Sequence, residues 1–233
     1  LPSALAGAAL VLLTGLLARE LGGGRFAMGL SALTTGLAFV YVVMHYLFTM
    51  NAFEPLFWTG CAYVVVRIVK TGDQRLWLWF GLLAGLGLQN KYSMAVYGLA
   101  LVVGLLLSPE RRALGRPWIW LGGAIAFLVF LPNVIWNVQH GWPFLELMRN
   151  IRASGRDVAL GPVEYLARQV LNMNPASLPV WLAGLGWLLF SGRGRPFRPL
   201  GWAFLVTLAT FVITKGKDYY LAPAFATLFA AGA

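Results

Sequence analysis

Acidic residues, histidine and cysteine are all scarce in this 233-residue sequence, which holds eight Asp+Glu, two His and one Cys. A lone Cys61 with His45 and His140 excludes a zinc ribbon, a CxxC redox centre and a disulfide scaffold, and leaves the redox compartment unreadable. Gx4GK(S/T), GxSxG and HExxH are missing as well, and Gly85-Leu86-Gly87 lacks the third glycine of a dinucleotide loop. Charge of either sign is short: 11% of residues are charged and 59% hydrophobic, with a mean hydropathy of +0.73. Soluble domains run near ~25% charged and ~45–50% apolar, so too little polar surface remains to cover a water-soluble core.

What the chain has instead is long apolar runs. Nine can be drawn, at about 2–18, 26–47, 53–69, 74–90, 92–107, 117–136, 176–190, 200–214 and 219–233, against the ~17–25 residues a helix needs to cross a bilayer. Gly22-Gly23-Gly24, Thr71-Gly72-Asp73, Ser108-Pro109-Glu110 and Ser191-Gly192-Arg193 punctuate them as loops do. Backbone amides in lipid must be satisfied within their own segment, and the alternation of a β-barrel is absent. The expected fold is therefore all-α: a polytopic transmembrane helical bundle of about nine spans over residues 1–233, forming one transmembrane domain. No internal repeat is visible.

The net charge of +10 fits basic loops beside anionic membrane lipids, and no nucleic-acid partner is expected. Alternate loops collect Arg19 and Arg25; Arg67, Lys70 and Arg75; Arg111, Arg112 and Arg116; and Arg193, Arg195 and Arg198, which is eleven of the eighteen Lys+Arg. Only Glu20, Asp73 and Glu110 oppose them. The other side sets Lys91, Arg149, Arg152, Arg156, Arg168, Lys215 and Lys217 against Glu54, Glu146, Asp157, Glu164 and Asp218. Short Lys/Arg-rich loops stay cytoplasmic, so the second side faces out. Residues 137–175 form one long outer segment, in which Gly161-Pro162-Val163-Glu164 opens a short interfacial helix with Pro at the first position and Glu in the first turn. Trp118, Trp120, Trp136, Trp142, Trp181 and Trp202 fall near span ends, as interface anchors do. The chain opens on Leu1 with an apolar helix at once, which reads as part of something longer.

The candidate functional residues lie on the outer side. From Leu76 to Leu107 is 32 residues, about 48 Å of helix at ~1.5 Å per residue. That is too much for one span and cramped for two, so two short helices meeting at Gln89–Ser93 would hold Lys91 below the lipid surface. There it either faces a protein-lined cavity or snorkels outward. In Asn51-Ala52-Phe53-Glu54-Pro55, Asn51 and Glu54 fit a capping-box-like helix start, or else Glu54 turns to the same cavity as Lys91. His140 follows the sixth span, with Glu146 and Arg149 beyond it at helical spacing. Lys215-Gly216-Lys217-Asp218-Tyr219-Tyr220 forms the last outer loop, whose lysines and tyrosines can donate to phosphate oxygens. An outward cavity with Lys91, Arg149, Lys215 and Lys217 at its mouth would suit an anionic lipid phosphate, while apolar helices hold the tail.

Three stretches carry a family resemblance: Gly85-Leu86-Gly87-Leu88-Gln89-Asn90-Lys91-Tyr92-Ser93; Leu131-Pro132-Asn133-Val134-Ile135-Trp136-Asn137-Val138-Gln139-His140-Gly141-Trp142-Pro143; and Lys217-Asp218-Tyr219-Tyr220-Leu221-Ala222-Pro223-Ala224-Phe225. In their order and spacing the chain resembles the bacterial glycosyltransferase family 39 proteins. These belong to the dolichyl-phosphate-mannose–protein mannosyltransferase superfamily, which includes the lipid A aminoarabinose transferases. The resemblance implies a GT-C fold in the bacterial inner membrane, with its active face periplasmic. It implies a hexosyl- or pentosyltransferase that takes a sugar from a polyprenyl-phosphate donor and passes it to a lipid or protein acceptor. Lys91, Arg149, Lys215, Lys217, Tyr219 and Tyr220 would then serve the donor phosphate. The family's catalytic carboxylate sits in its first outer loop, before an (Asp/Glu)-(Lys/His)-Pro-Pro stretch. Neither is present here, so no catalytic residue is expected in this segment, which would be inactive alone. Asn51 stands where many relatives carry Asp. His140 stands where some place a metal-ligating histidine, which leaves a divalent metal open as a cofactor and His140, Glu54 and Glu146 as candidate cavity or metal-site residues.

The alternative reading is a polytopic transporter or lipid flippase. It predicts inverted repeats and ionisable residues near the midplane, whereas most charges here fall at span ends. Orientation is directly testable: with Cys61 replaced, a single cysteine at position 140 or 217 should label from outside intact cells, and one at position 112 should not. Outside labelling at 112 with protection at 140 would reverse the topology.

Overall fold

The computed structural model describes residues 1–154 and 160–233, so Arg156 and Asp157 of the long segment 137–175 lie outside them. Among the described residues there is no strand, and twelve α-helices follow one another: α1 (Pro2–Glu20), α2 (Arg25–Leu37), α3 (Phe39–Tyr46), α4 (Glu54–Thr71), α5 (Leu76–Asn90), α6 (Ser93–Leu106), α7 (Pro117–Gln139), α8 (Pro143–Ala153), α9 (Pro162–Asn172), α10 (Leu178–Phe190), α11 (Arg198–Ile213) and α12 (Ala222–Gly232). Every apolar run read from the sequence is helical, and the all-α membrane fold stands.

Length separates the runs more finely than composition does. Among the described residues, four helical stretches are long and apolar enough to cross a membrane: Pro2–Glu20, Met50–Thr71, Pro117–Gln139 and Arg195–Ile213. Two bent pairs raise the number to six if each counts as one span. These are α2 with α3, bent by 63° at Ala38, and α6 with Pro109–Gly115, bent by 113°. The first bend has a simple origin, because Ala38 is extended (φ −67°, ψ 117°) and interrupts the helical path. The count of nine is thus not reached by length. The 15 residues of α5 amount to about 22 Å, short of a ~30 Å hydrocarbon layer.

The run at 219–233 shows why an apolar stretch need not face lipid. Every residue of α12 from Ala222 to Ala230 is buried, and α10, α4, α1 and α2 pack around it. A helix that is apolar on all sides belongs inside a bundle, and α12 occupies that place. By contrast α7 buries only Gly122 and Asn137. It lies at the rim, held chiefly by α5.

In lipid there is little hydrophobic drive between helices, and close packing of small residues takes over. The α5–α7 seam uses Gly81 against the Gly122 carbonyl and Gly122 against that of Trp77. At α10–α12, Gly184 lies on the Leu228 carbonyl and Gly232 on that of Val180. A side chain at any of these positions would collide with rigid backbone. Gly184→Val should therefore destabilise the detergent-solubilised protein by about 1–3 kcal/mol, the usual cost of overpacking. Gly186→Val, on the same helix where a Cβ meets nothing within 4 Å, should melt close to the parent. Equal melting temperatures for the two variants would refute this packing.

Candidate functional site

One end of the bundle is organised by the break between α5 and α6. The α5 helix stops as Asn90 donates through Nδ2 to the Met50 carbonyl (2.8 Å) and Lys91 becomes extended (φ −161°, ψ 136°). Lys91 then turns inward. Its Nζ donates to Glu54 Oε2 at 2.7 Å and to Asn51 Oδ1 at 2.9 Å. The rings of Tyr220 and Tyr219 stand 4.5 and 5.3 Å from the same ammonium. Ser93, the first residue of α6, donates its hydroxyl to the second oxygen of Glu54. The Lys91 and Glu54 side chains are only 10% and 2% exposed.

Two opposite charges this deeply buried hold each other in place. Each is costly alone, and removing one partner from such a pair typically costs about 3–5 kcal/mol. The carboxylate has both oxygens occupied, and the ammonium combines an anion, an amide oxygen and two aromatic faces, a favourable cation–π setting. Four chain segments meet here: the 3-10 turn Met50–Ala52, the first turn of α4, the α5–α6 break, and the turn Asp218–Leu221.

A second, neutral network adjoins the first through Tyr92. The Tyr92 hydroxyl donates to Asn133 Oδ1 (2.9 Å), and Asn137 Nδ2 donates to Asn133 Oδ1 and to the Asn133 carbonyl, both at 2.8 Å. Gln89 Nε2 reaches the Val129 carbonyl at 2.7 Å, so the end of α5 is bonded along α7. Phe144, from α8, meets the Tyr92 ring edge-on at 4.6 Å, which brings the start of α8 to the same place.

The short helix expected from Gly161-Pro162 is present as α9, and it braces the loop around Asp218. Its buried face is Tyr165 and Gln169, four residues apart and so one above the other. Gln169 Nε2 donates to the Asp218 carbonyl (2.9 Å), and Asn172 Nδ2 donates to Asp218 Oδ2 (3.1 Å). The Tyr165 hydroxyl lies 3.5 Å from the Lys217 carbonyl. Burial, with Asp218 nearby, pushes the Tyr165 phenol up, so it stays a protonated donor.

Of the residues singled out in the sequence, the structure brings Lys91, Glu54, Tyr219 and Tyr220 together. Asn51 and Glu54 do not form a capping box. The residue preceding α4 is Phe53, with no side-chain capping bond, because both polar groups are turned to Lys91 instead. Lys215 is exposed and left-handed (φ 53°), and Lys217 is half-buried. Glu146 and Arg149 lie exposed on α8. His140 is exposed and folded back on its own helix: Nδ1 is 2.8 Å from the Trp136 carbonyl, and the ring stacks on Trp136 at 4.4 Å. The chain turns sharply after it, with Gly141 and Trp142 both at positive φ. Among the described residues no three His, Cys, Asp or Glu side chains gather as a metal site, so His140, Glu54 and Glu146 do not form one. Sequence reasoning missed Ser93, Asn133 and the α9 brace. The available signal for the brace was the polar spacing Tyr165, Gln169, Asn172 on a short amphipathic helix.

Residues 1–136 match the family described as dolichyl-phosphate-mannose-protein mannosyltransferase. No curated protein and no solved structure matches the chain significantly. The matched part exceeds half of the chain and includes Asn51, Glu54, Lys91 and Ser93. The chain belongs to this family, whose members are membrane glycosyltransferases of the GT-C kind.

Proposed function

We propose that this family member transfers a sugar from a polyprenyl-phosphate donor to a lipid or protein acceptor at the outer face of a bacterial inner membrane, and that the end of the bundle built around Lys91 receives the donor phosphate. The observation that carries this reading is the meeting of Lys91, Glu54, Tyr219 and Tyr220 at one buried point. It joins the α5–α6 break to the loop that bears Lys215 and Lys217.

Charge bookkeeping refines the assignment. Glu54 neutralises Lys91, so the pair contributes little net charge and acts as a positioning element. Among the described side chains, Lys215, Lys217 and Arg149 are cations on this side of the chain that are in none of the four ion pairs, and they remain for an anionic ligand. In the transfer itself the acceptor hydroxyl attacks the anomeric carbon, and the bond from that carbon to the phosphate oxygen breaks. Polyprenyl phosphate then leaves with the electron pair. Preorganised cations and phenol donors stabilise the charge that develops on it. A general base takes the hydroxyl proton. Glu54 is held by Lys91 and Ser93 and is not given that task, which falls to the acidic residue of the family's first outer loop. The attack is not hydrolysis, so the two-carboxylate spacing of glycosidases does not apply.

Binding of undecaprenyl phosphate to the full protein tests the assignment. Lys215→Gln and Lys217→Gln should each weaken binding by at least about tenfold, since charge-assisted contacts are worth ~1.5–3 kcal/mol, while the melting temperature stays put. Lys91→Gln should lower affinity and thermal stability together. Unchanged affinity in all three variants would remove the phosphate site from this end of the bundle.

A further inference from the structure

At the opposite end of the bundle, where the chain gathers most of its arginines, a cavity of about 660 Å³ opens between the α6–α7 connection and the turn Arg195–Phe197. Arg111, Arg112 and Arg195 line it, with Glu110 as the opposing acid. Among the described residues none of these three arginines takes part in an ion pair: the four pairs use Glu20, Glu54 and Glu164. Three arginines lining one concave surface, whose guanidinium groups carry forks of N–H donors, suit a phosphate diester.

Two further features decide what carries that phosphate. Leu106 and Leu107 line the same cavity and are 54% and 56% exposed, so one wall is apolar and open to the surroundings. Trp120 lies close by in the chain, 67% exposed, with its indole Nε1 donating to the Leu114 carbonyl at 2.9 Å. An exposed tryptophan with its N–H tied to a polar group marks the level of lipid headgroups. An adjoining cavity of about 260 Å³ shares Glu110 and Arg112 and adds Arg116 and Gln74. The Gln74 Oε1 is buried without a partner and would accept from a headgroup hydroxyl.

We propose that the Arg111–Arg112–Arg195 cavity is a binding site for one anionic phospholipid of the phosphatidylglycerol type, with the phosphate among the arginines and an acyl chain along Leu106 and Leu107. The site lies at the far end of the molecule from Lys91 and does not depend on the donor assignment.

Native mass spectrometry of the detergent-solubilised full protein, titrated with phosphatidylglycerol or phosphatidylcholine of matched chains, tests this. The parent should prefer phosphatidylglycerol. Arg111→Gln with Arg195→Gln should lose about 25-fold in that affinity, at about fivefold per arginine, with phosphatidylcholine binding unchanged. Arg19→Gln with Arg25→Gln removes the same charge from the same end outside the cavity and should lose less than threefold. Should the first double variant fold poorly, Arg195→Gln alone carries the fivefold expectation. Equal losses in the two double variants would reduce the effect to diffuse electrostatics and overturn the site, as would full affinity in the cavity variants. Displacement of the lipid by millimolar inorganic phosphate would overturn the lipid assignment in favour of a free-anion site.

Discussion

One end of this bundle depends on one buried ion pair. Lys91 interrupts a stretch of helix that would otherwise run from Leu76 towards Leu107, and its ammonium lies 2.7 Å from a carboxylate with almost no solvent exposure. A buried charge without its partner typically costs about 3–5 kcal/mol, so the break between α5 and α6 persists only because Glu54, Asn51 and two tyrosine rings receive Lys91. The same cost makes the arrangement specific. Shifting the register of α4 or α5 by one residue would strand both charges in an apolar interior.

Several chain segments are tied together by this pair. The Met50–Ala52 turn, the start of α4, the start of α6 and the Asp218–Leu221 turn converge on it, and α9 secures the last of these from outside through Gln169 and Asn172. A membrane glycosyltransferase must present donors and cations to a phosphate without reorganising them during the reaction. A neutralised, rigid pair beneath a lysine-bearing loop suits that requirement better than a free buried lysine would. The remainder of the bundle is held by contacts of a different kind, glycine against carbonyl at α5–α7 and α10–α12, which need no charge at all.

Much of this was legible in the amino-acid order. The deficit of charge pointed to a membrane fold, and the 32 residues from Leu76 to Leu107 announced the break at Lys91. The Gly161-Pro162 start announced α9. Two things were hidden. Whether an apolar run faces lipid or protein depends on its neighbours, so α12 read as a span although the bundle encloses it. And Asn51 and Glu54 fit a local capping pattern equally well, because a capping box and a long-range ion pair use the same residue types. Only the position of Lys91, about forty residues further on, decides between them. The Asn133–Asn137 pair shares one face of α7, but its link to Tyr92 was similarly invisible, since Tyr92 lies about forty residues away at the α5–α6 break.

The central claim is that Lys91 and Glu54 act as one unit, and a double-mutant cycle measures that directly. With reversible unfolding in mixed detergent as the readout, Lys91→Met and Glu54→Gln should each cost about 3 kcal/mol, because each leaves its partner buried and unpaired. The double variant should cost no more than either single change, giving a coupling of at least about 3 kcal/mol, at the upper end of the range seen for residues in contact. Losses that simply add, with a coupling under about 0.5 kcal/mol, would contradict the account.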